Sequence, residues 1–216
     1  FSRANPQRLY LPIIIDPEKA EYGGPSPLNF EYKGVGGKVV NNGHAEVYFN
    51  GGAGTMSVNL WERYEAKRIH IHKENEHVLV GAKKAPVEAH IVHESDHGKF
   101  AVLGFHVVAD EKAAGSKADL AFKKMLAALS GKPNEMESIL AGLNPADFQP
   151  VSKGAYLYPG SLTTAPCTEG IAWNFLKESV AVSPETLAAL KASVGENDNA
   201  REAREPSPAQ RLVSYK

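Results

Sequence analysis

The segment from Lys38 to Val108 carries the pattern that most constrains the fold of this chain. Short runs rich in Val, Ile, Tyr and His alternate apolar with polar residues there, and Gly and Asn interrupt them. Such alternation is typical of β-strands, because successive side chains of a strand point to opposite faces of the sheet. Strands are predicted most clearly at Val39–Val40 continuing into His44–Phe49, Arg68–His72, Val87–His93 and Phe100–Val108.

The remaining chain predicts irregular segments and a few helices around this β-rich part. Apolar residues spaced three and four apart predict two helical segments between Lys117 and Leu143. Residues 1–21, rich in proline, predict an irregular N-terminal segment, and the charged segment 195–206 predicts an exposed loop. No internal repeat is visible, so residues 1–216 are expected to form a single, mainly β (α+β) domain.

Charge and composition exclude several classes of function. The chain has 24 Lys and Arg against 25 Asp and Glu, so no basic excess favours nucleic-acid binding. No apolar run is long enough for a membrane span. The single cysteine, Cys167, can form neither an internal disulfide nor a cysteine-cluster metal site.

The compartment is less constrained than the fold. The chain begins at Phe1 rather than at Met, as expected after removal of a leader peptide, although a trimmed chain would look the same. A secreted or periplasmic location is the expectation. The lone cysteine does not decide the question, because oxidising compartments favour disulfides that this chain cannot make internally.

Histidines at strand spacing indicate a metal site. His70 and His72 are two residues apart and therefore share one face of a strand, and His90 could join them from a neighbouring strand. Three imidazoles with an open fourth position form the arrangement that catalytic zinc requires. Glu88 shares a face with His90 and could accept its spare ring N–H, whereas His93 falls on the opposite face. A His-x-His pair that simply faces solvent remains open on spacing alone.

Longer motifs carry a resemblance to a known family. The chain resembles the α-class carbonic anhydrases in the runs Asn41-Asn-Gly-His44, Arg68-Ile-His-Ile-His72, Asn75-Glu76-His77, Val87-Glu-Ala-His-Ile-Val-His93, Ala101-Val-Leu-Gly104 and Tyr158-Pro-Gly-Ser-Leu-Thr-Thr-Ala-Pro-Cys-Thr-Glu-Gly170. The resemblance implies a central, mostly antiparallel twisted sheet of about ten strands with short surface helices. It also implies the reversible hydration of carbon dioxide to bicarbonate.

The resemblance assigns residues to this chemistry. It implies one Zn²⁺ per chain, held by His70, His72 and His90. Thr163 would orient the zinc-bound hydroxide with Glu76 as its partner, although a threonine in this segment could also be mere turn chemistry. His44 would act as the proton shuttle, since an unperturbed imidazole titrates at about pH 6.5.

Further positions would support the site. Glu88 and His77 would contact the zinc-binding histidines from behind. The implied apolar substrate pocket comprises Val92, Val102, Leu162, Thr164, Ile171 and Trp173. The implied partners are carbon dioxide and bicarbonate, with sulfonamides and anions as inhibitors, and a homodimer is also allowed.

Three departures from the family pattern bear on these expectations. Arg68 stands where glutamine is common, and arginine has only donors, so a contact with the first histidine is lost or supplied otherwise. Lys73 replaces a common tryptophan. The usual disulfide partner of Cys167 falls near Ala20, so this cysteine is expected to be a buried thiol.

Two other readings of the resemblance remain. A catalytically weak or silent binding or storage protein of the same fold is one, although such relatives usually replace a ligand histidine. A zinc hydrolase of another kind is the other, but no H-E-x-x-H motif is present.

Overall fold

The structure is a computed structural model that describes residues 11–42, 45–129, 134–163, 167–194 and 199–216, with the side chain of Leu140 left aside. The strands in these ranges are β1 (Ile14–Ile15), β2 (Glu21–Gly24), β3 (Leu28–Tyr32), β4 (Val35–Asn41), β5 (Ala45–Phe49), β6 (Gly54–Val58), β7 (Glu62–Lys73), β8 (Val78–Leu79), β9 (Val87–Glu94), β10 (Phe100–Ala109), β11 (Glu137–Leu143), β12 (Ala155–Ser161), β13 (Glu169–Leu176), β14 (Val180–Val182) and β15 (Val213–Tyr215). The α-helices are α1 (Lys117–Ala127), α2 (Pro145–Phe148) and α3 (Pro184–Ser193).

One large sheet organises the molecule. Within the described ranges it contains 13 strands, and its main path runs β11-β4-β5-β7-β9-β10-β13-β12-β15-β2. Strands β3 and β6 extend it beside β7, and β14 pairs with β10. Most pairs are antiparallel, whereas β10 pairs in parallel with β13 and β14, and β15 pairs in parallel with β2. The expected fold class, a mostly antiparallel sheet with about ten strands and short helices, is confirmed.

The strand alternation sorts side chains onto two apolar faces. On β7, Ile69 and Ile71 pack into the larger buried cluster, which α1 and α3 cover with residues such as Phe122 and Leu190. The histidines of β7 point the other way. A second buried cluster lies on their side of the sheet and includes Leu11, Ile13, Val92, Val102, Ile171 and Trp173.

A buried aspartate links the two longer helices on the first face. Oδ1 of Asp119 accepts hydrogen bonds from the Ser183 N–H at 2.9 Å, the Ser183 hydroxyl at 2.8 Å and the Thr186 hydroxyl at 2.6 Å. Its Oδ2 accepts from the Gly115 N–H at 2.9 Å. Burial would raise the pKa of Asp119, but these hydrogen bonds outweigh it and hold the pKa below its ordinary value. The carboxylate therefore anchors α1 to the start of α3.

Two expectations about local structure need correction. The second helix predicted before Leu143 is wrong, because residues 137–143 form β11, which pairs with β4. Ile139 and Leu143 are buried there, and a spacing of four fits both one face of a helix and one face of a strand. The segment 1–21, expected to be irregular, contains β1 and the first residue of β2, while residues 1–10 lie outside the described ranges.

Residues 199–206, the described part of the predicted exposed loop, form no helix or named strand. Arg204 makes one isolated parallel bridge to Ile13. Asn199 and Arg201 of the same segment contact the candidate metal centre. None of the helices described is both long and apolar enough to cross a membrane.

Asp119→Ala should lower the free energy of unfolding by about 2–4 kcal/mol, because several buried donors lose their acceptor. Asp96→Ala, at an exposed position, should change it by no more than about 0.5 kcal/mol. Urea unfolding at neutral pH measures both. The difference in unfolding free energy between wild type and Asp119→Ala should shrink as the pH falls below about 4 toward the lowered pKa of Asp119 in the folded state. The reason is that Asp119 binds a proton more readily in the unfolded chain than in the folded one. Equal losses in the two variants would contradict the anchoring role.

Candidate metal centre and adjoining pocket

Two neighbouring strands bring three buried histidines together. In the antiparallel pair β7–β9, His70 lies opposite His90, and His72 lies opposite Glu88. The three ring centroids are 4.7–5.1 Å apart. One ligand atom from each histidine lies within 4.8 Å of the other two, so the group could hold a metal ion. His70 and His72 therefore lie on one face of β7, as predicted, and His90 of the neighbouring strand lies on the same face of the sheet.

The outward nitrogens of two histidines are held by acceptors. Nδ1 of His72 donates to the backbone carbonyl of Asn199 at 3.2 Å, and Nε2 of His90 contacts Oε1 of Glu88 at 2.7 Å. A carbonyl and a carboxylate can only accept, so these nitrogens carry the protons. In the neutral imidazoles the opposite nitrogens, Nε2 of His72 and Nδ1 of His90, then carry the lone pairs and are suited to bind a metal.

Glu88 is the acceptor for a wider set of donors. Its Oε1 also accepts from Nδ1 of His77 at 2.6 Å, and its Oε2 accepts from the backbone N–H groups of Glu76 and His77 at 2.9 and 2.8 Å. Nε2 of His106 lies 3.4 Å from Oε2. Burial would raise the pKa of Glu88, but His77 and the hydrogen bonds of these imidazoles outweigh it and hold the pKa well below its ordinary range. The carboxylate is therefore ionised although it is fully buried.

A second buried carboxylate, Glu76, faces the histidines from another side. Its Oε1 accepts from the Arg201 N–H at 3.0 Å and lies 3.4 Å from Nδ1 of His72. Burial raises the pKa of Glu76, while His90 and hydrogen bonds from Arg201 and Thr163 oppose that rise. Glu76 and Thr163, predicted as partners, are thus brought together beside the three histidines.

A small pocket adjoins two of the three histidines. It is lined by Arg68, His70, His90, Val92, Val102, Leu162, Thr163 and Trp173. Ile171, the other apolar position predicted for the pocket, packs in the same buried cluster as Trp173. The indole N–H of Trp173 donates to the Ser161 carbonyl at 2.8 Å, which fixes the ring as one wall. His44 and Thr164 lie outside the described residues.

Three contacts to the site were not predicted from sequence. Asn199 and Arg201 come from the segment expected to be an exposed loop, and nothing in that charged stretch signals a long-range contact. Asn199 also binds β7 directly: its Oδ1 accepts from the Lys73 N–H at 2.8 Å, and its side-chain amide donates to the Ile71 carbonyl at 3.1 Å. The position of His106 could have been predicted, because it is four residues from Val102 on β10 and therefore lies on the same face of that strand.

The family departures have specific structural outcomes. Arg68 directs Nη1 across the sheet to Oε1 of Glu46 and to the Tyr48 hydroxyl, each at 3.4 Å. Cys167 is a free cysteine, as expected, but its predicted burial is wrong because it is partly exposed. Nη1 of Arg201 donates to Sγ of Cys167 and to the Thr163 carbonyl, each at 3.2 Å.

The sequence matches one family along most of its length. A family model described as eukaryotic-type carbonic anhydrase matches residues 11–214. Dioscorin DB3S of Dioscorea polystachya is 36% identical over 178 residues, which cover 81% of this chain and 64% of that protein. Alpha carbonic anhydrase 7 of Arabidopsis thaliana is 30% identical over 191 residues, covering 87% of this chain and 66% of that protein. The chain thus spans slightly less than two thirds of the length of these relatives.

Solved structures share the fold. The α-carbonic anhydrase from Thermovibrio ammonificans, in complex with the inhibitor sulfanilamide, has a TM-score of 0.84 and 30% identity, covering 96% of this chain and 87% of that one. Dioscorin complexed with ascorbate has a TM-score of 0.83 and 29% identity, covering 97% of this chain and 87% of that one.

His93 provides a test of how the two faces of β9 differ. As predicted, it points away from the three histidines, and its Nε2 is hydrogen-bonded to the Tyr32 hydroxyl at 2.7 Å. Burial lowers the pKa of His93 from 6.5 to about 4. The native state therefore binds fewer protons than the unfolded state between these pH values, so stability falls as the pH drops through this window.

His93→Gln should remove up to about 3 kcal/mol of the pH dependence of unfolding between pH 6.5 and 4. Urea unfolding curves across this range measure the difference from wild type. His97→Gln, at an exposed position, should keep the wild-type slope. An unchanged slope in His93→Gln would show that the pKa of His93 is the same in the native and unfolded states.

Proposed function

Since the chain belongs to the eukaryotic-type carbonic anhydrase family, we propose that it catalyses the reversible hydration of carbon dioxide to bicarbonate and a proton, with one zinc ion per chain. The observation that carries the proposal is the convergence of three buried histidine nitrogens on one point beside an apolar pocket. Zinc would be held by His70, His72 and His90.

The donor set fits zinc in kind and in spacing. Nδ1 of His90 lies 3.3 Å from Nε2 of His70. Two nitrogens that each lie about 2.05 Å from a tetrahedral ion are separated by about 3.3 Å, so the spacing of this pair fits zinc, and the nitrogen from His72 lies within 4.8 Å of both. Three histidines complete only part of a tetrahedron, which suits a catalytic rather than a structural site. When bound, zinc supplies a Lewis acid that makes hydroxide available near neutral pH, the chemistry for which carbonic anhydrases are known.

Residues behind the histidines would fix them for this role. Glu88 holds the proton of His90 at Nε2, and the Asn199 carbonyl holds the proton of His72 at Nδ1. Each imidazole therefore presents one lone pair in a fixed direction. His77 supports Glu88 through its own Nδ1 contact with that carboxylate.

Thr163 and Glu76 would orient the reacting group. The Glu76 carboxylate accepts from the Arg201 N–H, and as the acceptor facing Thr163 it would draw the threonine hydroxyl proton toward itself. The threonine oxygen is then left as an acceptor. It would favour ligands that carry a proton to donate and would turn their remaining lone pair toward the pocket.

The pocket walls suit a neutral, apolar substrate. Val92, Val102, Leu162, Ile171 and Trp173 offer little hydrogen bonding, so carbon dioxide would lose little by leaving water. We assign Thr164 to the same pocket from the family motif. His44 is assigned as the residue that passes the product proton to buffer, because an unperturbed imidazole takes up and releases protons near neutral pH.

A second function is favoured by a specific finding. Relatives at 36% identity are named dioscorins, and one solved dioscorin is complexed with ascorbate. The alternative is accordingly a weak or silent binding or storage protein with the same fold. It predicts zinc binding without appreciable hydration, whereas the main proposal predicts both.

His90→Ala should lower zinc affinity and the rate of carbon dioxide hydration by about 100-fold or more, because two histidines cannot complete the site. Stopped-flow hydration and zinc content measure the two effects, and His97→Ala is the matched control at an exposed histidine. Wild-type activity should be abolished by a zinc chelator and by sulfanilamide. Zinc-loaded wild type with a rate no better than buffer would favour the alternative function.

His44→Ala should slow hydration about tenfold at low buffer concentration, with recovery on addition of imidazole, because an external base replaces the missing shuttle. The initial carbon dioxide hydration rate should approach that of wild type at high buffer concentration. A rate independent of buffer in both proteins would assign proton transfer to another route.

A further inference from the structure

A cation interrupts the otherwise apolar wall of the pocket. Arg68 lines the same small pocket as Val92, Val102 and Leu162. Its side chain is 27% exposed, so it is largely withdrawn from water while still reaching the cavity. A neutral gas gains nothing from a guanidinium, so hydrophobic solvation of carbon dioxide does not explain this residue.

Strand geometry places this cation next to the three histidines. Arg68 and His70 are two residues apart on β7 and share a face, so their Cα atoms are separated by about 6.5–7 Å. Across the β7–β9 pair, Arg68 lies opposite Val92, just as His70 lies opposite His90. Arg68 and the proposed metal position therefore border the same cavity.

Neighbouring side chains hold Arg68 without using all of its donors. Nη1 donates to Glu46 and to the Tyr48 hydroxyl, and the guanidinium carbon lies 5.9 Å from the centre of the Tyr48 ring. The Tyr48 hydroxyl in turn donates to Oε2 of Glu46 at 2.7 Å. Within the described residues, the hydrogen bonds of Arg68 use Nη1 alone. A guanidinium has five N–H donors, so Nε and Nη2 can still bind an acceptor.

We propose that Arg68 selectively strengthens the binding of small carboxylate-type anions, bicarbonate among them, by donating to an anion that also occupies the metal's open position. The proposal rests on the proposed function for the metal itself. Guanidinium donors match the paired oxygens of a carboxylate in spacing and charge. Arg68 would thus strengthen the affinity for the anionic product and leave the affinity for carbon dioxide unchanged.

Removing the charge of Glu46 is expected to change anion affinity in the opposite direction to removing Arg68. Glu46 is 4% exposed and partly neutralises the guanidinium through its 3.4 Å contact. Removing its charge, as in Glu46→Gln, would leave the cation less neutralised and therefore more attractive to an incoming anion. If the Arg68–Glu46 pair were purely structural, both single variants would instead bind the anion more weakly.

The test is titration of cobalt-substituted protein with acetate, followed by visible absorption, which reports anion binding without requiring activity. Arg68→Gln should weaken acetate binding about fivefold, the loss expected for a partly exposed charge-assisted contact. Glu46→Gln should tighten it about two- to threefold. Arg63→Gln removes another β7 arginine, ion-paired to Glu31 at 3.3 Å, and should leave acetate affinity unchanged.

A kinetic readout and a conservative variant complete the test. In the zinc enzyme, Arg68→Gln should raise the KM for bicarbonate about fivefold while leaving the KM for carbon dioxide unchanged. Arg68→Lys keeps the charge but loses the planar fork, so its acetate affinity should fall between wild type and Arg68→Gln. If Arg68→Gln does not fold, Arg68→Lys and Glu46→Gln decide the matter.

The outcomes separate this inference from the proposed function. Wild-type acetate affinity in cobalt-loaded Arg68→Gln, or weakened affinity in Glu46→Gln, overturns the role of Arg68 even if the enzyme hydrates carbon dioxide. Arg68-dependent acetate binding in a protein without hydration activity supports the inference and removes the proposed reaction. A wild-type chain that takes up no cobalt overturns both.

Discussion

A fully buried carboxylate, that of Glu88, organises one face of the sheet around the three histidines. Removing such a charge from water costs several kcal/mol unless donors surround it. Two backbone N–H groups and the imidazoles of His77 and His90 supply those donors. The same contacts that stabilise the charge also select the tautomer of His90, so stability and metal-binding capacity depend on one arrangement of atoms.

The division of the sheet into two faces explains how one strand serves both core and chemistry. Ile69 and Ile71 pack beneath the helices, while His70 and His72 point to the opposite face, where His70 lines the pocket. The packing of Ile69 and Ile71 holds the neighbouring histidines of β7 at fixed positions. Arg68 lies on the same face of β7 as His70 and lines the pocket. It contacts Glu46 and Tyr48, which belong to the adjacent strand β5.

Sequence reasoning succeeded where the signal is local. Alternation predicted the strands around the histidines and placed His93 on the opposite face, because strand parity depends only on counting residues. It failed for β11, where Ile139 and Leu143 have a spacing that helices and strands share. Family motifs suggested Thr163 and Glu76 as partners. Nothing predicted that Asn199 and Arg201 contact the site, because an asparagine in a charged segment looks the same whether or not it meets a distant strand.

The contact between Asn199 and His72 has a consequence for how the site assembles. The two residues are 127 positions apart, so the site depends on a pairing of very high contact order. Closing so long a loop is entropically costly and tends to occur late in folding. During synthesis, all three histidines emerge well before the segment that orients one of them. A nascent chain can therefore have its β7–β9 pair before Asn199 has docked against His72, so this late docking step is the one that completes the hydrogen bonding of the site.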